Sequence, residues 1–237
     1  LLPNIFDHPF TYSSSLKLKV GDYVNVPFGK RVITGVVWDQ FEKNDIKKFK
    51  IKSVKEKLNI EPLKKEMVRF LNWFTNYNLV PLGMALKLHL LSGNAIEMRK
   101  KSDYQKYQIT DNKKNYHLSD EQQMAFAELI KKDNSFRVHL LQGTTGSGKT
   151  IVYFKALEKI LKQHKQILIL LPEIGLTGEF EKKFKDFFGF EAAVWHSKIT
   201  SKKKKIIWSG LANGEIKVAV GARSSLFLPF QKLGLII

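Results

Sequence analysis

The sequence predicts an α/β protein, with a small β-rich N-terminal module followed by a lobe built on a mainly parallel sheet. Three observations carry that reading. Val20 to Val26 alternates apolar and polar residues, as a half-buried strand does, and Val32 to Trp38 resumes the pattern after the turn residues Pro27 to Arg31. From Leu118 onward, helical and extended patterns take turns, the order that produces a parallel sheet covered by helices. Between one such strand and helix lies Gly143-Thr144-Thr145-Gly146-Ser147-Gly148-Lys149-Thr150, which fits the phosphate-binding loop G-x-x-x-x-G-K-[ST] at all eight positions.

In order along the chain, residues 1–60 are predicted as a compact sheet or small barrel. Lys43 to Lys57 is rich in lysine, with Ile46, Phe49, Ile51 and Val54 between, which suits either a solvated face or a surface tracking a nucleic-acid backbone. Residues 62–91 read as two helices parted at Pro81-Leu82-Gly83. In the first, Leu63, Met67, Phe70, Leu71 and Phe74 form an apolar stripe, and Trp73, Phe74 and Tyr77 are read as core. Residues 92–117 are polar and form the predicted linker. After it come helix 121–131, strand 136–142, helix 149–163, strand 166–171, helix 177–188, strand 192–196, helix 200–212, strand 216–220 and the apolar run 233–237. The predicted domains are therefore 1–91, 92–117 and 118–237.

Composition limits the function classes. The net charge of +18 creates a field that attracts polyanions, nucleic acid first among them, although a lysine-rich proteome would also raise the count. The absence of cysteine excludes disulfides and thiolate zinc sites in these residues and suits a reducing compartment, so a cytoplasmic location is expected. No apolar run reaches the length of a bilayer span, and no signal peptide is recognisable, so no membrane association is expected.

The phosphate loop supplies the chemistry. Gly143, Gly146 and Gly148 permit backbone angles and close approach that a Cβ would block. The following helix adds partial positive charge at its start. Lys149 would reach the terminal phosphates of ATP, and the Thr150 hydroxyl is placed for a magnesium ion, with Thr144, Thr145 and Ser147 completing the loop. Three further stretches are candidates. Pro172 to Thr177 follows a strand and opens a helix, so it could hold a phosphate. Gly221-Ala222-Arg223-Ser224-Ser225 offers a guanidinium and hydroxyls after a strand, though Arg223 alone could be an ordinary loop ion pair. Gln122, in Leu118 to Gln122, could read an adenine edge with its amide.

Taken in order and spacing, these strings resemble the PriA family of replication-restart helicases (primosomal protein N′). The resemblance rests on Gly143 to Thr150, Pro172 to Thr177, His196-Ser197 and Gly221 to Phe230, followed by Leu233 to Ile237. It also rests on Pro9-Phe10-Thr11-Tyr12, Val24 to Gly29 and Pro81-Leu82-Gly83. It implies a RecA-like P-loop helicase lobe over 118–237 and a 3′-end DNA-binding module over 1–91. The end-binding pocket would map to Phe10, Thr11, Gly29 and Lys52. Gln122 would read adenine, and Thr177, Arg223 and Ser224 would line the path of single-stranded DNA. The implied activity is ATP-dependent 3′-to-5′ DNA unwinding at stalled or abandoned forks. Branched and single-stranded DNA, primosome proteins and single-strand-binding proteins are the implied partners. A different class stays open, a non-catalytic fork-binding module with a vestigial phosphate loop.

Departures from the family pattern matter. An acidic residue is frequent in the family where Thr11 stands. About 25 residues fill the place of a winged-helix insert, too few for such a domain. The family's Asp-Glu-Glu-His motif, whose carboxylates organise magnesium and water, would follow directly after Ile237, and the second lobe and its cysteine-rich zinc region would lie further on. The 237 residues alone are therefore expected to bind DNA and ATP without hydrolysing the nucleotide.

Overall fold

The N-terminal module is organised on a hairpin. β1 (Tyr23–Phe28) pairs antiparallel with β2 (Arg31–Val36) through Tyr23↔Val36 to Phe28↔Arg31, and β1 also pairs with the short β3 (Glu56–Lys57), giving the order β2-β1-β3. The computed structural model describes residues 1–41, 51–91, 100–110, 116–131, 136–172 and 178–237. The lysine-rich stretch therefore lies partly outside the described residues, at 42–50.

Alternation along β1 sorts its side chains. Val24 and Val26 join Leu2 in a buried cluster, with Phe10, Tyr12, Phe28, Ile33 and Val54 packed against it. The opposite face carries polar work. Asn25 accepts from the Thr34 hydroxyl at 2.8 Å and donates to Glu56 at 3.0 Å. The buried Asp22 carboxylate pins the entry to β1, accepting from the Lys19 backbone N–H at 2.8 Å and from the Lys57 ammonium at 2.7 Å.

Helices α1 (Lys65–Asn78) and α2 (Leu82–His89) follow, near the predicted bounds. The core assignment of Trp73 and Tyr77 is corrected. Leu71 and Thr75 are the buried positions of α1, and the opposite face leaves Trp73 56% and Tyr77 74% exposed. These two stack at 5.3 Å between ring centroids, and Phe70 stacks on Trp73 at 6.0 Å. Residues 73 and 77, four apart, share one stripe of the helix, and it is the stripe turned away from Leu71.

By contacts, the chain divides into two units. The first comprises Leu1–Asp103, Ser197–Asn213 and Leu226–Gln231; the second comprises Tyr104–His196, Gly214–Ser225 and Lys232–Ile237. Helix α6 (Ser201–Ala212) thus belongs with the N-terminal module. Its attachment is a polar relay. Trp208 Nε1 donates to the His89 carbonyl at 2.7 Å, the Tyr23 hydroxyl meets His89 Nε2 at 2.8 Å, and His89 Nδ1 meets the Phe227 carbonyl at 2.7 Å. A carbonyl only accepts, so Nδ1 carries the proton and Nε2 accepts from tyrosine.

The second unit holds a four-stranded parallel sheet of order β5-β6-β4-β7, formed by β4 (Gln166–Leu170), β5 (Ala193–Trp195), β6 (Val218–Gly221) and β7 (Leu233–Ile236). Helices α3 (Asp120–Leu129), α4 (Lys149–Lys162) and α5 (Gly178–Phe188) complete it. Its core is rich in phenylalanine. Phe154, Phe184, Phe187, Phe188 and Phe190 pack with Leu157, Ile167, Ile169, Val218 and Val220.

Two sequence expectations change here. Residues 136–142, expected as a strand, form no ladder among the described residues; Phe136, Val138 and Leu140 are 91, 84 and 89% exposed. A strand needs a neighbour for its N–H and C=O groups, and β7 pairs only with β4 among the described residues. Within the predicted linker, Lys101–Tyr107 forms a 3₁₀ helix with Tyr104 and Tyr107 buried.

Candidate nucleotide and DNA sites

Residues 143–150, read from the sequence as a phosphate loop, form the turn between residue 142 and the start of α4. Gly148 caps α4 at φ +80°, a left-handed conformation that side chains with a Cβ resist. The same glycine leaves room for Gln122, whose amide nitrogen stands where a Cβ would fall. At Gly143, a Cβ would lie 2.7 Å from Ser147 Oγ, so the loop closes tightly on itself. Lys149 Nζ donates to the carbonyls of Gly143 and Thr144, both at 2.7 Å, which holds its ammonium at the loop. Thr144, Thr145, Gly146 and Ser147 are exposed, and Thr150 is half-buried in the first turn of α4.

Gln122 reaches this loop from α3. Ser119 and Gln122 form a capping box: the Gln122 N–H donates to Ser119 Oγ at 3.3 Å and Gln122 Oε1 accepts from the Ser119 N–H at 3.1 Å. The amide nitrogen then donates to the Ser147 carbonyl at 3.1 Å. The amide is thus fixed at both ends, beside the loop.

Gly221 to Ser225 forms a second tight turn at the end of β6. Ser225 is buried, and its hydroxyl donates to the Ala222 carbonyl at 2.6 Å, which presents Arg223 and Ser224 at the surface. Ser225, included in the sequence reading only as one of the hydroxyls of 221–225, holds the turn; its signal was the hydroxyl three residues after Ala222, the spacing of a turn that bonds back on itself. Thr177 lies outside the described residues, as does the rest of 173–177.

In the N-terminal module, Phe10 packs edge-on against Phe28 at 5.5 Å, next to Gly29 in the hairpin turn. The exposed Thr11 follows it. Two residues on, the Ser13 N–H donates to the Lys52 carbonyl at 3.0 Å. The Phe10–Phe28 contact thus ties the 10–11 stretch to the β1–β2 turn that holds Gly29, and the 13–53 bridge ties the same stretch to Lys52. A cavity of about 530 Å³ elsewhere in the same unit is lined by Lys19, Asp22, Lys57, Glu61 and Asn213 among others, none of them a predicted site residue. Among the described residues, no cluster of acidic, histidine or cysteine side chains could hold a metal ion by itself, and no helix is long and apolar enough to cross a membrane.

Comparison with known proteins decides the family. Residues 1–91 match the 3′DNA-binding domain of PriA, and residues 115–234 match the family described as type III restriction enzyme, res subunit. The chain belongs to the PriA family. The replication restart protein PriA of Rickettsia conorii is 36% identical over 242 residues, covering all of this chain and 36% of that protein. PriA of Helicobacter pylori strain 26695 is 32% identical over 97% of this chain and 34% of its own length, and that of Haemophilus influenzae is 28% identical over all of this chain and 42% of its own. The chain therefore spans little more than a third of the first of these relatives. The parallel sheet and phosphate loop of the second unit fit a RecA-like helicase lobe, as the match over 115–234 implies.

Proposed function

We propose that this chain is the fork-recognising and ATP-binding part of an ATP-dependent 3′-to-5′ DNA helicase that restarts replication in the cytoplasm, where it works with primosome and single-strand-binding proteins. One observation carries the reading. A 3′DNA-binding match and a complete phosphate loop occur in one chain, with Lys149 and Gln122 both brought to that loop.

The residues fit ATP and magnesium. Gly143 and Gly148 keep the loop free of side chains at its tightest points. A phosphate oxygen is a stronger acceptor for the Lys149 ammonium than the two neutral carbonyls it now contacts, so a triphosphate would draw it outward. Thr150 would hold magnesium through the nucleotide, and Gln122 would face the adenine. Bound ATP would supply the phosphoanhydride whose hydrolysis drives strand separation. Phe10, Thr11, Gly29 and Lys52 would take the 3′ end of a nascent strand, and Thr177, Arg223 and Ser224 would line the single-strand path. The 237 residues alone would bind nucleotide and leave it unhydrolysed, because they contain no Asp-Glu-Glu-His.

Two measurements test this. Binding of a fluorescent ATP analogue should weaken at least about tenfold in Lys149→Ala, the loss of a charge-assisted phosphate contact. Equal affinity of wild type and variant would sink the nucleotide site and favour the non-catalytic fork-binding module. Forks with a free 3′ end should bind more tightly than forks with a blocked end; equal binding would sink end recognition.

A further inference from the structure

Helix α6 is charged against its own interest. Lys202, Lys203, Lys204 and Lys205 occupy its first turns, and no acidic residue occurs anywhere from Ala192 to Gly214. By contrast, α1, α3 and α5 each open with glutamate or aspartate, the charge that a helix start favours. The cap makes the point sharper. Thr200 Oγ1 accepts from the Lys203 N–H at 3.2 Å, so residue 203 stands where the reciprocal arm of a capping box belongs. In α3, that position is Gln122, and the box is complete. An ammonium has no lone pair to return the bond. Among the described residues, no carboxylate pairs with Lys202, Lys203 or Lys205, whereas Lys204 Nζ is turned to the Ser197 carbonyl at 3.3 Å.

Lys202 is exposed and Lys203 and Lys205 are half-buried, with no carboxylate holding their ammonium groups among the described residues. The helix is held by its other half, where Ile207, Trp208 and Leu211 are buried and Trp208 bonds to the His89 carbonyl. That attachment puts α6 in the same compact unit as residues 1–91, although its sequence lies inside the match over 115–234. A local rule broken without a folding gain marks a functional position. The cations are carried on a rigid helix fixed to a 3′DNA-binding domain, and the polyanion that domain handles is DNA.

We propose that Lys202, Lys203 and Lys205 of α6 are an accessory contact for the DNA phosphate backbone, extending the footprint of the 3′DNA-binding domain with a helix taken from the ATP-binding part of the sequence. This rests on the DNA-binding reading above. The contact is independent of sequence and of strand ends, since ammonium groups meet phosphates as point charges.

The experiment is fork binding by the 237-residue chain over a salt series, comparing wild type with Lys203→Glu and with the double variant Lys202→Gln/Lys205→Gln. The slope of log affinity against log salt should fall by about one for each lysine removed, with affinity down roughly tenfold in the double variant at low salt. The preference for free over blocked 3′ ends should stay unchanged. Thermal midpoint separates this from a folding defect: Lys203→Glu completes the capping box and should melt about 1–3 °C higher while binding DNA more weakly. An unchanged salt slope overturns the proposal alone. So does a double variant that keeps its DNA affinity and loses binding to phosphatidylserine vesicles instead. A wild type that leaves DNA unbound overturns it together with the reading on which it rests.

Discussion

The two units are held by different chemistry. The second has an apolar core in which Phe154, Phe184, Phe187, Phe188 and Phe190 touch ring to ring, with Phe184 and Phe188 at 4.5 Å. The first joins Tyr23, His89, Trp208 and Phe227, drawn from four distant stretches of sequence, through buried hydrogen bonds. Apolar burial is non-directional and indifferent to pH. A buried imidazole is directional and titrates. The lesson is that the second unit rests on a phenylalanine cluster that holds no carboxylate or histidine, while the unit with the DNA-binding match has a titratable joint.

The largest effect expected is on the phenylalanine core. Phe184 is fully buried and meets Phe154, Phe188 and Phe190, so Phe184→Ala should cost about 3–5 kcal/mol in denaturant unfolding. That loss should be the same at pH 7.5 and pH 5, because no ionisable group takes part. A pH-dependent loss would break the contrast.

Next comes the joint. Burial lowers the His89 pKa to about 4, against the hydrogen bond to the Phe227 carbonyl, which pushes it up. In the unfolded chain the group titrates near 6.5. The folded value is the lower one, so the unfolded chain binds the proton first as pH falls. The stabilisation is complete above about pH 6.5, is lost as pH drops toward 4, and changes no further below that. The whole span is about 3 kcal/mol at most. Unfolding free energies measured between pH 7.5 and 4 should show it, and His89→Gln, which keeps a donor and an acceptor but cannot titrate, should flatten the slope. An unaltered slope in that variant would place the acid sensitivity elsewhere.

Much of this was legible in sequence wherever the signal is local. β4 reads Gln-Ile-Leu-Ile-Leu between turn residues, and it is a central strand. The motif read as a phosphate loop is eight consecutive residues, and the capping box of Ser119 and Gln122 falls within four. Signals that depend on distant partners were not legible. Trp73 and Tyr77 carry apolar letters, but only the location of Leu71 and Thr75 says which stripe of α1 is covered. Tyr104 and Tyr107 sit in a polar stretch and are buried all the same. The His89 relay needs residues from four separate stretches, and no spacing announces it. Likewise, the helical pattern of α6 is plain in its sequence, yet its membership in the first unit depends on Trp208 meeting His89.

The smallest effect expected is the most instructive about where the apolar core of the second unit stops. Residues 136–142 and β4 differ in pattern: Phe136, Val138 and Leu140 alternate with Arg137 and His139, while β4 is apolar nearly throughout. Alternation suits a strand with one wet face, but the ladder must come from a neighbour, and the segment makes none among the described residues. Val138→Thr should therefore change stability by less than about 0.5 kcal/mol, as surface substitutions do. Val218→Thr, the same change in the buried β6, should cost about 1–3 kcal/mol by leaving a hydroxyl in an apolar core. Light scattering gives a second reading of position 138, because exposed apolar segments with a strand pattern pair with one another. The Val138→Thr variant should associate less at high concentration. Equal costs at 138 and 218 would mean that residues 136–142 are part of the sheet and share its buried core.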